Sequence, residues 1–109
     1  MTELADQRCK PCEGGVAPLS AAKAALMAKK LDKSWRIAPD SKSVSRAYKF
    51  RDFYRTMSFV NAVAHVANGE DHHPDLQVGY DYCRITYSTH AIGGLSLNDF
   101  ICAAKIDRL

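Results

Sequence analysis

No apolar run in this chain approaches the roughly 18 residues that mark a membrane-spanning helix. The opening stretch from Met1 to Lys10 is polar and carries Glu3 and Asp6, without the basic start and apolar centre of a secretory signal. Both absences make the cytoplasm the expected compartment, with no membrane partner. Charge of one sign is not in large excess: the net charge is +3, and the basic residues are scattered apart from Lys29 and Lys30. Such a balance describes a solvated surface, so no nucleic-acid partner is expected. Cysteine is sparse. Of four, Cys9 and Cys12 make one Cys-x-x-Cys pair, while Cys83 and Cys102 stand alone. A structural zinc site usually needs a second pair or spaced histidines, so this half pattern predicts reduced thiols and no metal. Internal repeats and low-complexity tracts are also lacking.

What is present is an ordinary globular composition, 47% hydrophobic and 25% charged over 109 residues, enough for one domain around one core. Residues 1–17 read as an N-terminal extension, poorly ordered or extended, with Gly14 and Gly15 as breakers. Residues 18–109 read as a single domain. Ser20 is placed to cap a first helix running to about Leu31. Trp35 to Ala38 and Ser43 to Phe50 read as two strands around a Pro39-Asp40-Ser41 turn, with Val44, Arg46, Tyr48 and Phe50 on one face. Asp52 is placed to cap a second helix whose apolar stripe is Phe53, Met57, Val60, Ala64 and Ala67, with Asn68-Gly69 as its stop. Leu76 to Tyr80 is a third strand, in which Gly79 signals a bulge or a close backbone approach. Arg84 to Thr89 is a fourth. Ser96-Leu97-Asn98-Asp99 resembles a capping box opening a last helix with Leu97, Ile101 and Ala104 on one face. The order α-β-β-α-β-β-α predicts an α+β fold: a four-stranded antiparallel sheet with three helices on one face.

Three histidines carry the candidate chemistry. His72 and His73 precede Pro74, in a polar loop just beyond a helix end, where the helix dipole and Asp71 favour an imidazolium. His90 ends the fourth strand before a glycine-rich turn, with Asp99 in the first turn of the following helix. Histidines tuned near neutrality suit acid–base work. A three-histidine zinc site is the rival reading, but an extended pre-proline backbone opposes adjacent ligands on one ion. Trp35 is either core or an aromatic able to stack on a heterocycle.

Asp71-His72-His73-Pro74-Asp75, Tyr80, Thr89-His90, Gly93-Gly94-Leu95-Ser96 and Asp99 together resemble the signature of the pterin-4a-carbinolamine dehydratases. Trp35, the segment from Tyr48 to Phe53 and the tail from Asp99 to Ile106 are also similar to that family, and the early Cys9-x-x-Cys12 stretch resembles the N-terminal extension of bacterial members. The resemblance implies a homodimer or homotetramer. It implies a lyase without cofactor or metal, acting on a pterin substrate to recycle tetrahydrobiopterin for aromatic amino acid hydroxylases such as phenylalanine hydroxylase. Carried over by position, His72, His73 and His90 are catalytic, and Asp71, Asp99, Trp35, Pro74 and Thr89 bind or orient substrate. Asn68 stands where the family usually has an acidic residue, and Glu70 is a nearby carboxylate that could stand in for it. The alternatives are a catalytically weakened pterin-binding protein, motivated by Asn68, and a transcription-factor dimerisation module of the kind found among animal members.

Overall fold

The computed structural model describes residues 3–11, 14 and 16–109; Cys12, half of the Cys-x-x-Cys pair, lies outside them. A 3-10 turn at Leu4–Asp6 is followed by α1 (Ala21–Ala28), β1 (Arg36–Ile37), β2 (Val44–Lys49), α2 (Phe53–Glu70), β3 (Asp75–Val78), β4 (Tyr82–Tyr87), a second 3-10 turn (His90–Ile92) and α3 (Leu97–Asp107). The strands form one antiparallel sheet in the order β1-β2-β4-β3. This is the α+β arrangement expected from the sequence.

Register decides which side of the sheet is covered. Val44 pairs with Tyr87, Arg46 with Ile85, and Tyr48 with Cys83. Side chains alternate along a strand, so these residues share one face. Cys83, Ile85, Tyr87 and Val44 are fully buried there, beneath the helices. Tyr82 and Arg84, on the other face of β4, are exposed.

The helix starts follow the sequence chemistry. The Ser20 hydroxyl accepts the Lys23 N–H at 3.1 Å, and the Asp52 carboxylate accepts the Arg55 N–H at 2.9 Å. Each satisfies a donor that the first helical turn leaves open. Two helical faces differ from expectation. On α2 the buried residues are Thr56, Val63 and Ala67, with Phe59, Val60 and Val66 packed partly against the core, while Phe53 is 47% exposed. Both stripes have helical spacing, and periodicity alone does not say which one meets the sheet. On α3, Leu97 is exposed, yet Asn98 to Ala104 and Ile106 are all buried. A second cover, the segment before α1, hides the face that the sheet and α2 leave open. Leu4 is buried in that cover, and Lys105 Nζ donates to the Ala5 carbonyl at 2.8 Å.

Gly79 lies just past β3, in the turn to β4, where its N–H donates to the Tyr82 carbonyl at 3.0 Å. A Cβ there would meet the Tyr82 ring at 2.0 Å, so the expected close approach is made by a side chain stacked over the turn.

The C-terminal end of α3 is fixed by a polar knot. Asp107 Oδ1 accepts the Trp35 indole N–H at 2.7 Å and the Arg46 guanidinium at 2.9 Å, and Arg46 also lies over the Tyr48 ring. Removing the shared acceptor strands two partly buried donors. Asp107→Ala is therefore expected to lower stability by about 2 kcal/mol in urea unfolding, with Asp107→Asn losing less.

Candidate active site

The site begins at the end of α2. Asn68-Gly69 does not stop this helix; it runs to Glu70, and Asp71 takes the left-handed conformation at φ 51°. The His72 N–H donates to the Ala67 carbonyl at 3.1 Å and the Asp71 N–H to the Asn68 carbonyl at 3.4 Å, the paired bonds of a Schellman motif. Aspartate tolerates this backbone better than most residues, which is why the stop falls later than glycine preference suggests. The motif aims His72 back toward α3.

There His72 Nε2 lies 2.6 Å from Asp99 Oδ1. Asp99 has no exposed surface. Its Oδ2 accepts the Thr89 hydroxyl at 2.8 Å and the Ser96 N–H at 2.9 Å, the second being the reciprocal half of a capping box. The Tyr87 ring stacks on the His72 imidazole with centroids 5.3 Å apart, and its hydroxyl donates to the His72 carbonyl at 3.1 Å. With Asp99 as acceptor, the proton of His72 sits on Nε2 and Nδ1 is left for a second partner. Burial pulls the His72 pKa down, but the hydrogen bond and charge of Asp99 outweigh it and raise it above the ordinary 6.5.

Other candidates lie on the segments that carry His72 and Thr89. His73 is exposed, and its Nε2 lies 3.0 Å from Asn68 Oδ1. Asp71 and Pro74 flank the two histidines, Asp71 exposed and Pro74 half-buried. His90 is exposed and directly follows Thr89, whose backbone bridges to Gly94. Gly93, at φ 68°, closes the turn, its N–H donating to the His90 carbonyl at 3.2 Å. An apolar hollow of about 230 Å³ lies beside this turn, against Ile92, Leu95 and Ser96. Trp35 is not brought to the cluster. It is 5% exposed and bound to Asp107, about 12 Å further along α3 than Asp99 at ~1.5 Å per residue.

Glu70 does not stand in for the missing acid at Asn68. Its side chain turns away, accepting the Cys9 N–H at 2.7 Å and pairing with Arg8 at 3.0 Å. The capping box expected at Ser96 is present and makes the Ser96 N–H a ligand of Asp99, whereas Tyr87 as the platform beneath His72 was not legible in the sequence. A cleft of about 680 Å³ lies between Glu3, Lys30, Asp32 and Arg108 at the far end of α3, with no histidine in its lining.

The geometry predicts a pH response. A histidine with a raised folded pKa adds stability that is complete below its unfolded value and is lost as pH rises through the folded one. The stability difference between wild type and His72→Gln should therefore be largest below pH 6.5 and shrink above it. An NMR titration of His72 should show its midpoint falling in Asp99→Asn.

The family model for pterin 4 alpha carbinolamine dehydratase matches residues 17–109. A Nitrosomonas europaea protein provisionally named a pterin-4-alpha-carbinolamine dehydratase is 58% identical over 107 residues, covering 98% of this chain and 93% of its own. A Legionella pneumophila (strain Corby) protein of the same provisional name is 48% identical over 108 residues, covering 99% and 96%. The crystal structure of a transcriptional coactivator/pterin dehydratase from Brucella melitensis superposes with a TM-score of 0.78 at 26% identity, over 84% of this chain and 96% of that one. A pterin dehydratase-like protein identified as a RuBisCO assembly factor in the alpha-carboxysome shares the fold, with a TM-score of 0.59 at 22% identity, over 69% and 87%.

Proposed function

The chain belongs to the pterin 4 alpha carbinolamine dehydratase family, and from that premise we propose that it converts a 4a-hydroxy-tetrahydropterin to the quinonoid dihydropterin and water by histidine acid–base catalysis. The observation that carries the reading is the 2.6 Å contact of His72 with the fully buried Asp99. The reaction breaks the C4a–O bond, protonates the departing hydroxyl and removes the N5 proton. A pKa raised by Asp99 favours the protonated form of His72, so His72 is the acid that donates from Nδ1 to the leaving hydroxyl. His90, on the adjoining turn, accepts the N5 proton. His73, steadied by Asn68, orients the pterin, and the amide at Asn68 supplies a hydrogen bond without a charge. Thr89 and Asp99 hold His72, while Asp71 and Pro74 shape the loop that presents the two adjacent histidines. Trp35 contributes through the seating of α3. No metal or cofactor enters these steps.

The product is the oxidised pterin that a reductase returns to the tetrahydro form, which suits cofactor recycling in the cytoplasm for a hydroxylase such as phenylalanine hydroxylase. A homo-oligomer fits the surface. β3 is an edge strand with all four residues exposed, and Tyr54 on α2 is 87% exposed beside the stacked Phe53 and Tyr80.

Turnover of a 4a-hydroxy-tetrahydropterin, followed by absorbance with and without chelator, tests the reading. Wild type should exceed the spontaneous rate and ignore chelator. His72→Ala and His90→Ala should each lose about 10²-fold or more in kcat. As pH rises through the raised His72 pKa, above 6.5, wild-type turnover should fall, and Asp99→Asn should move that limb to lower pH. Asn68→Ala should raise KM more than it lowers kcat. Turnover no faster than the spontaneous rate would sink the enzyme assignment and favour a pterin-binding role.

A further inference from the structure

Two thiols that the dehydration does not use face each other across the seam between the N-terminal segment and α3. Cys9 Sγ and Cys102 Sγ are 3.6 Å apart, although 93 residues separate them in sequence. Cys9 is half-buried and Cys102 has no exposed surface. The approach is fixed on both sides. The Cys9 N–H donates to Glu70 Oε1 at 2.7 Å, and the Lys10 N–H donates to Asn98 Oδ1 at 3.0 Å. Asn98 Nδ2 donates back to the Lys10 carbonyl at 2.5 Å, one turn of α3 before Cys102. The pair is therefore held in register by bonds that do not involve sulfur. Cys102 also neighbours the reacting groups: it stands one helical turn beyond Asp99. The contact with Cys9, partly opposed by burial, holds the Cys102 thiol below its ordinary value, with the Tyr87 hydroxyl and the His72 charge acting in the same direction, while the same contact and burial push the Cys9 thiol up.

We propose that Cys9 and Cys102 form a peroxide-responsive dithiol site that closes to an intramolecular disulfide, fastening the N-terminal segment to α3 beside the His72–Asp99 pair. The proposal does not depend on the reaction assigned to the histidines. A hydroperoxide reaches Cys9 before Cys102, because Cys9 is half-buried whereas Cys102 has no exposed surface. Cys9 hands its proton to the Cys102 sulfur 3.6 Å away and attacks as the thiolate, and the departing oxygen then takes that proton from Cys102. The O–O bond breaks, an alcohol or water leaves, and Cys9 becomes a sulfenic acid. The Cys102 thiolate then attacks the Cys9 sulfur. The S–O bond breaks, and hydroxide leaves as water with the Cys102 proton. Two thiols and one hydroperoxide thus give one disulfide, one alcohol and one water; with hydrogen peroxide, two waters form.

The test treats the full chain with about one equivalent of hydrogen peroxide, alkylates the remaining thiols and maps linked peptides by mass spectrometry. The four thiols should fall to two, with a Cys9–Cys102 linked peptide that dithiothreitol removes. The link should persist in Cys12→Ser and be absent from Cys9→Ser and Cys102→Ala. Cys9→Ser lies in a half-buried segment outside the helices, so it remains informative if Cys102→Ala does not fold. A Cys9–Cys12 link, a disulfide between chains, oxidation of Cys9 without any link, or thiols that react only after a chelator strips zinc would each overturn the proposal.

Discussion

The carboxylate of Asp99 is the constraint on which the site depends. A buried carboxylate is tolerated only when its oxygens are bonded. Asp99 meets that demand with the Thr89 hydroxyl, the Ser96 N–H and His72 Nε2. The partners come from the end of α2, the chain after β4 and the start of α3. One side chain therefore caps a helix, ties the strand exit to that helix and sets the protonation of a histidine. The electrostatic result follows from the packing. Burial alone would make His72 a weaker base, whereas the charge beside it in the same low-dielectric surroundings makes it a stronger one.

α3 is the spine that joins this site to the rest of the fold. Asp99 sits in its first turn and Asp107 at its last, each gathering donors from distant parts of the chain. Between them the helix is enclosed by the sheet, by α2 and by the N-terminal segment. That segment is attached by polar bonds to Glu70, Asn98 and Lys105, and by the Cys9–Cys102 contact. The arrangement explains why Glu70 is unavailable to the histidines: its charge is committed to the seam.

The elements were legible because their signals are local. Ser20 and Asp52 each offer an oxygen to their own helix start, and the alternation of Val44, Arg46, Tyr48 and Phe50 marks a half-buried strand. The stop of α2 was read too early, because the left-handed residue proved to be Asp71 rather than Gly69, and the Schellman bonds that reward it are visible only in three dimensions. Of the apolar stripe expected on α2, Val60 and Ala67 meet the core while Phe53 does not; Thr56 is buried instead, because its hydroxyl is satisfied by the Asp52 and Tyr80 carbonyls.

The sequence by itself determined the order of elements, the caps and the presence of histidines and an aspartate with the spacing of one dehydratase family. Those properties are set by neighbours a few residues apart, within reach of one turn of helix or one strand pair. Tertiary structure alone decided that His72 rather than His73 meets Asp99, that Tyr87 lies beneath it, that Trp35 serves the far end of α3, and that Cys9 finds Cys102. Each is a contact between segments far apart in the chain, and its geometry is fixed by how sheet, helices and N-terminal segment close around one core.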